Sequence, residues 1–178
     1  MKISIKFLEK IYDLLTKDEK NDKIKWHCDW ELTKYKTKED YLLNNSYETI
    51  PVCGNMLLTV GANAIWGLVT GTSGYTPFSY ANTYIGVGSS SIEAKANQTG
   101  LQGGSKAFAK VEEGFPKISD NEITYQATFN ENEANFSWNE MTIINGPVNT
   151  GTSLNRKVYD LGTKDGGVWT LRAVISLN

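Results

Sequence analysis

The stretches 121-NEITYQATF-129, 136-FSWNEMTII-144, 154-LNRKVYDLG-162 and 168-VWTLRAVISLN-178 decide the fold class. Apolar residues recur at every second position in each, which is the mark of a strand with one buried face. Glycine-rich turns separate them, and strands at such short regular spacing point to a sandwich or a closed antiparallel sheet. The expected fold is mainly β: an antiparallel β-sandwich or jelly-roll-like domain with one buried helix and an N-terminal amphipathic helix. Nothing in these strands assembles a catalytic constellation.

Working back from there, 24-IKWHCDWELTKY-35 alternates cleanly. Ile24, Trp26, Cys28, Trp30 and Leu32 share one face, and Lys25, His27, Asp29, Glu31 and Thr33 the other. Residues 36–46 read as an exposed connection, and 47–54 as a short strand limited by Pro51. The stretch 55-NMLLTVGANAIWGLV-69 returns to helical spacing through Leu57, Leu58, Ala62, Ile65, Leu68 and Val69. Its broad apolar stripe predicts a largely buried helix; Gly61 and Gly67 weaken it intrinsically, so either tertiary packing holds it or another backbone approaches closely. Residues 70–82 form an irregular segment containing Tyr75, Phe78 and Tyr80. A short strand over 83–91 and a polar connection over 92–106, anchored by Leu101, come next. The strand 107–113 and the turn GFPK complete the run.

At the N-terminus, 5-IKFLEKIYDLLTKDE-19 places Phe7, Leu8, Ile11, Leu14 and Leu15 at helical spacing between charged residues. This is an amphipathic pattern with one adhesive face. The domain reading is accordingly an arm over 1–22 and a sandwich-like domain over 23–178. Charges interrupt the apolar stretch at the N-terminus, so no secretory leader is expected there. No segment is apolar for long enough to span a membrane. These features describe a soluble protein made in a cytoplasm.

The chain has 178 residues, 40% apolar and 11% aromatic, which suffices for a core. Its 18 basic and 20 acidic residues give a formal charge of −2, without the net basic footprint of a nucleic-acid binder. Two cysteines, Cys28 and Cys53, make no disulfide framework and read as buried thiols in a reducing compartment. The lone histidine, His27, sits on the polar face of its strand and cannot converge with Cys28 on one metal. The stretch 86-GVGSSS-91 lacks the lysine and the glycine spacing of a phosphate loop. The acidic run 130-NENEAN-135 misses the spacing of an EF-hand and reads as a solvated turn. Sequons at Asn44, Asn97 and Asn135 matter only for a secreted chain. Trp26, Trp30, Trp66, Trp138 and Trp169 are in phase with apolar positions and read as core residues. No cofactor or metal site is expected.

The segments Tyr84–Gly88, Gln98–Gln102, Phe115–Pro116, Thr124–Phe129, Glu133–Glu140, Leu154–Lys164 and Trp169–Leu177 resemble a shared pattern in small structural proteins of tailed bacteriophages. The preceding helix extends the resemblance to about residues 52–178, leaving 1–50 outside it. It implies a virion structural protein without enzyme activity, assembled in the bacterial host cytoplasm. The expected role is that of a capsid auxiliary (decoration) protein bound to the major capsid protein or another virion protein, as a homo-oligomer such as a trimer. It would contact neither nucleic acid nor membrane. The candidate contact residues are Phe7, Leu8, Ile11, Leu14 and Leu15 of the arm, with Tyr75, Phe78 and Tyr80 of the loop. A tail, collar or baseplate subunit is the alternative, and a module binding host-receptor glycans is an alternative of another class.

Overall fold

The computed structural model describes residues 25–146 and 150–178. The amphipathic stretch 5–19, with Phe7, Leu8, Ile11, Leu14 and Leu15, lies outside the described residues. The elements run β1 (Trp26–Tyr35), α1 (Lys38–Leu42), β2 (Glu48–Cys53), β3 (Met56–Leu57), α2 (Thr59–Val69), β4 (Tyr84–Gly88), β5 (Lys106–Lys110), β6 (Lys117–Ser119), β7 (Glu122–Phe129), β8 (Ser137–Ile144), β9 (Asn155–Thr163) and β10 (Val168–Leu177). Among the described residues they form two antiparallel five-stranded sheets, ordered β2-β1-β10-β7-β6 and β3-β9-β8-β4-β5. The protein is a β-sandwich.

The alternation read from the sequence is what closes the sandwich. Cys28, Trp30 and Leu32 of β1 face the interior, while His27, Asp29 and Glu31 face solvent. β1 pairs with the whole of β10, from Trp26 opposite Leu177 to Tyr35 opposite Val168. A shift of one residue would turn this entire buried row outward, so burial itself fixes the register. Between the sheets, Trp138 is fully buried with the rings of Phe129 and Trp169 edge-on at 4.8 and 4.9 Å. Its indole N–H donates to the Ala134 carbonyl at 2.8 Å, so a large apolar surface is buried with no orphaned donor. Lys34 closes this end of the core. Its ammonium lies 4.4 Å from the centre of the Trp169 ring and pairs with Glu48 at 2.7 Å.

The second sheet has a different problem on its outer side. Glu140 of β8 and Arg156 of β9 are both fully buried, beneath the connection 89–105 that joins β4 to β5. The Arg156 Nε donates to the Glu140 carboxylate at 2.7 Å. The same carboxylate accepts the backbone N–H groups of Gln102 at 2.9 Å and Gly103 at 2.6 Å. The remaining guanidinium nitrogens donate to Gln98 Oε1 at 2.9 Å and the Ile92 carbonyl at 2.8 Å. A charged pair without such partners would be a net cost, because desolvation consumes its attraction. Here both ions spend their bonding capacity on one loop. Gly88 belongs to the same arrangement, since a Cβ there would fall 2.4 Å from the Glu140 Oε1.

Several sequence readings are corrected. The segment 36–46 contains the short helix α1, whose Thr37 hydroxyl caps the Asp40 N–H at 3.0 Å. A three-residue strand, β6, follows the turn at 114–117. Cys28 is buried but Cys53 is exposed, not a core thiol. Cys53 stands opposite Asp29 in the β1–β2 register, which puts it on the other face of the sheet from Cys28. The two thiols do not meet.

Burial pushes the Cys28 thiol up to about 12, with Asp29 adding to the shift. The folded chain therefore holds a proton that the unfolded chain gives up at lower pH. This stabilisation is complete below the ordinary thiol range and is lost as pH rises toward about 12. A thiol reagent is expected to modify Cys53 rapidly in the native protein and Cys28 only on unfolding. Urea titrations should show a decline in stability on the alkaline side, made shallower by Cys28→Val. Equal reactivity of the two thiols would contradict the fold. For the buried pair, Arg156→Ala should cost about 3–5 kcal/mol in the same assay, and the double change Glu140→Met with Arg156→Met should recover much of it.

Candidate docking surface

The helix α2 bears out only part of the expectation drawn from its apolar stripe: Leu58 is buried and Leu57 and Ile65 pack half-buried on the core, but Val69 is exposed. Its buried residues are Gly61, Ala64 and Gly67, spaced three apart on one face. A Cβ at Gly61 would lie 2.1 Å from the Leu154 carbonyl oxygen, so the helix rests directly on the backbone at the start of β9. Small residues win the inner face because the backbone is too close for large ones. Ile65 and Leu68 fit half-buried at its margin, while Trp66, 65% exposed, and Val69, 70% exposed, point outward. Trp66 is therefore not a core residue, and the helix is only partly buried. Trp30, Trp138 and Trp169 are core residues as expected, and Trp26 packs half-buried at its margin.

The helix ends at Thr70, whose hydroxyl donates to the Trp66 carbonyl at 2.8 Å. Beyond it the segment 70–82 is irregular, as read, but firmly held. The Tyr75 ring lies against Gly67, where a Cβ would approach it to 2.2 Å. The Asn145 side chain donates to the Thr76 carbonyl, and Asn82 donates to the Pro77 carbonyl at 3.3 Å. Of the three loop aromatics, Tyr75 and Tyr80 are exposed, while Phe78 packs half-buried against the core. Phe78 thus anchors the loop. The Tyr80 ring lies 4.8 Å from the Lys110 ammonium.

The candidate loop residues Tyr75, Phe78 and Tyr80 thus follow directly on the helix that exposes Trp66 and Val69, with Tyr75 packed on Gly67. The candidate arm residues fall outside what is described, so their position relative to this unit is not part of it. Trp66 and Val69 were not singled out from the sequence as surface residues. The signal that would have found them is the Gly61–Ala64–Gly67 spacing, which marks a face too tight for anything but small side chains.

The groups with chemical potential elsewhere are engaged in structure. His27 is exposed and within 3.0 Å of Asp29, two residues along the same strand face. The acidic turn 130–135 does hold a cation, but an internal one. The Lys164 ammonium donates to the Asn130 carbonyl at 2.7 Å and to Asn135 Oδ1 at 3.0 Å. Burial pushes the pKa of this ammonium down. Among the described residues, no group of three or more His, Cys, Asp or Glu side chains is placed to hold a metal ion. No described helix is long and apolar enough to cross a membrane.

No family model, curated protein or solved structure matches this chain. The reading of the surface therefore rests on geometry.

Gly61→Ala is expected to destabilise the protein by about 1–3 kcal/mol, since a methyl group would have to push the helix off the Leu154 backbone. Trp66→Ser should change stability by no more than about 0.5 kcal/mol, because little packs on that ring. Thermal unfolding of the two variants checks the pair. A large loss in Trp66→Ser with none in Gly61→Ala would invert the assignment of inner and outer faces.

Proposed function

We propose that this chain is a virion structural protein of a tailed bacteriophage, and specifically a capsid auxiliary protein that docks on the outer shell and reinforces it. The observation that carries the docking reading is the set of large apolar side chains, Trp66, Val69, Tyr75 and Tyr80, exposed on a rigidly backed unit. A solvent-exposed tryptophan on a helix that cannot move inward favours a partner, because covering it on association recovers hydrophobic free energy without first ordering the segment. The phage-like pattern over 52–178 supplies the kind of partner.

The mechanism follows from that geometry. The sandwich is a stiff body whose buried charged groups are all paired or hydrogen-bonded and whose other charges lie at the surface, so many copies can sit on a particle without aggregating. Each copy covers a joint between shell subunits with its apolar unit. The area it buries opposes separation of the subunits when packaged nucleic acid presses outward. Specificity for one shell belongs to the less typical first fifty residues, including the apolar positions Phe7, Leu8, Ile11, Leu14 and Leu15.

Cosedimentation of the purified chain with expanded shells that lack it tests this reading. The wild-type protein is expected to bind at a stoichiometry comparable to that of the shell's own subunits. Trp66→Ser combined with Tyr80→Ser should weaken binding at least about tenfold, or about 1.4 kcal/mol, without lowering the unfolding temperature. Binding only to tails or baseplates, at the copy number of a single ring, would replace the capsid role with the tail role. Unchanged shell binding in the double variant would remove this surface from the account.

A further inference from the structure

The outer face of the first sheet carries a second, chemically different concavity of about 680 Å³. Its floor is set by strand register. Thr49, Thr33 and Thr170 stand side by side across β2, β1 and β10. The neighbouring row places Glu31, Arg172 and Gln126 across β1, β10 and β7. Neighbouring strands lie about 4.8 Å apart, so the two rows form a grid of hydroxyl, carboxylate, guanidinium and amide groups.

The walls are aromatic and built to stay in place. On one side Tyr41 stands edge-on to Tyr35, with ring centres 5.3 Å apart. The Tyr35 hydroxyl donates to Asn44 Oδ1 at 3.2 Å, tying the end of α1 to the sheet. On the other side Phe115, half-buried, comes from the connection between β5 and β6. The floor is fixed as well, because the Gln126 amide donates to the Glu112 carboxylate at 2.8 Å. Glu31 and Arg172, by contrast, make no ion pair among the described residues, so both retain bonding capacity for a ligand.

We propose that this trough binds a short neutral oligosaccharide. The polar floor disfavours a lipid, which needs an apolar lining. In the lining Glu31 stands with Arg172 and Lys117, and the Glu112 carboxylate bonded to Gln126 lies beside it, so the trough lacks the positive field that a nucleic acid or another polyanion requires. A peptide adding as a strand would use a sheet edge, and this is a sheet face. A sugar matches both parts: its hydroxyls pair with the grid, and its C–H faces lie against Tyr41 and Phe115. The volume falls within the roughly 300–1,000 Å³ of small-ligand sites. This inference is independent of the docking reading, since the trough and the α2 unit share no residue.

The test uses the full chain on an array of hexose, N-acetylhexosamine and uronic-acid oligosaccharides, followed by NMR titration with the best neutral ligand, or with maltotriose and chitotriose if none is retained. Retention of a neutral glycan is expected, with amide shifts centred on Thr33, Gln126 and Arg172. Arg172→Ala and Glu31→Ala should each weaken binding at least about tenfold while leaving the unfolding temperature unchanged. Trp66→Ser should leave it intact. The proposal is overturned by no shift at millimolar maltotriose or chitotriose after an empty array, by shifts elsewhere, or by unaltered binding in both trough variants. Retention of uronic-acid chains alone, abolished by salt, would also overturn it.

Discussion

The rest of the structure depends on a buried ion pair, Glu140 with Arg156, and on the loop it holds. Without it the outer side of the second sheet would be bare β-structure, with the 89–105 connection free to leave. With it, two backbone N–H groups, a glutamine side chain and a backbone carbonyl are drawn onto one carboxylate and one guanidinium. Each ion is fully buried, so neither can lose its partner without leaving a charge out of water. A loss of about 3–5 kcal/mol is a large share of the roughly 5–15 kcal/mol that stabilises a domain. The pair is thus a device for position more than for net energy. It turns a long polar connection into a fixed outer layer.

This arrangement gives physical content to several motifs that pointed toward the phage-like pattern. Gln98 and Gln102 both meet the pair, one through its side chain and the other through its backbone N–H. Glu140 lies within β8, at the end of the run Glu133–Glu140, and Arg156 lies in the run Leu154–Lys164. Gly88 is the last glycine of Tyr84–Gly88, and its missing Cβ leaves room for the Glu140 carboxylate. Residues far apart in the sequence are thus joined by direct contact. Lys164 plays a similar part at the other end, filling the acidic turn 130–135 with its own ammonium.

The strands were legible because their periodicity is strict and their two faces differ. β1, β7, β8, β9 and β10 all lie where alternation placed them. The helix α2 was legible as a helix, and Leu57, Leu58 and Ile65 lie on the inner side as their spacing predicts. Trp66 and Val69 do not, because the Leu154 backbone admits only small residues on the face that Gly61, Ala64 and Gly67 occupy. Cys53 and Trp66 failed for the same reason: their apolar character is clear from sequence, while the face they occupy depends on neighbours distant in the chain. The polar trough was invisible because its floor comes from four strands, two near the start of the sandwich and two from the second half of the chain. Both exposed surfaces sit on elements that the sandwich holds rigid, so neither must order itself before binding.

Amide hydrogen exchange at Gln102 and Gly103 tests the organising role of the buried pair most directly. These amides lie in a long loop, where exchange is ordinarily fast. If the Glu140 carboxylate holds them, they should exchange as slowly as amides in the central strands β8 and β10, and Arg156→Met should release them before the strands. Rapid exchange at both positions in the wild-type protein would contradict the account.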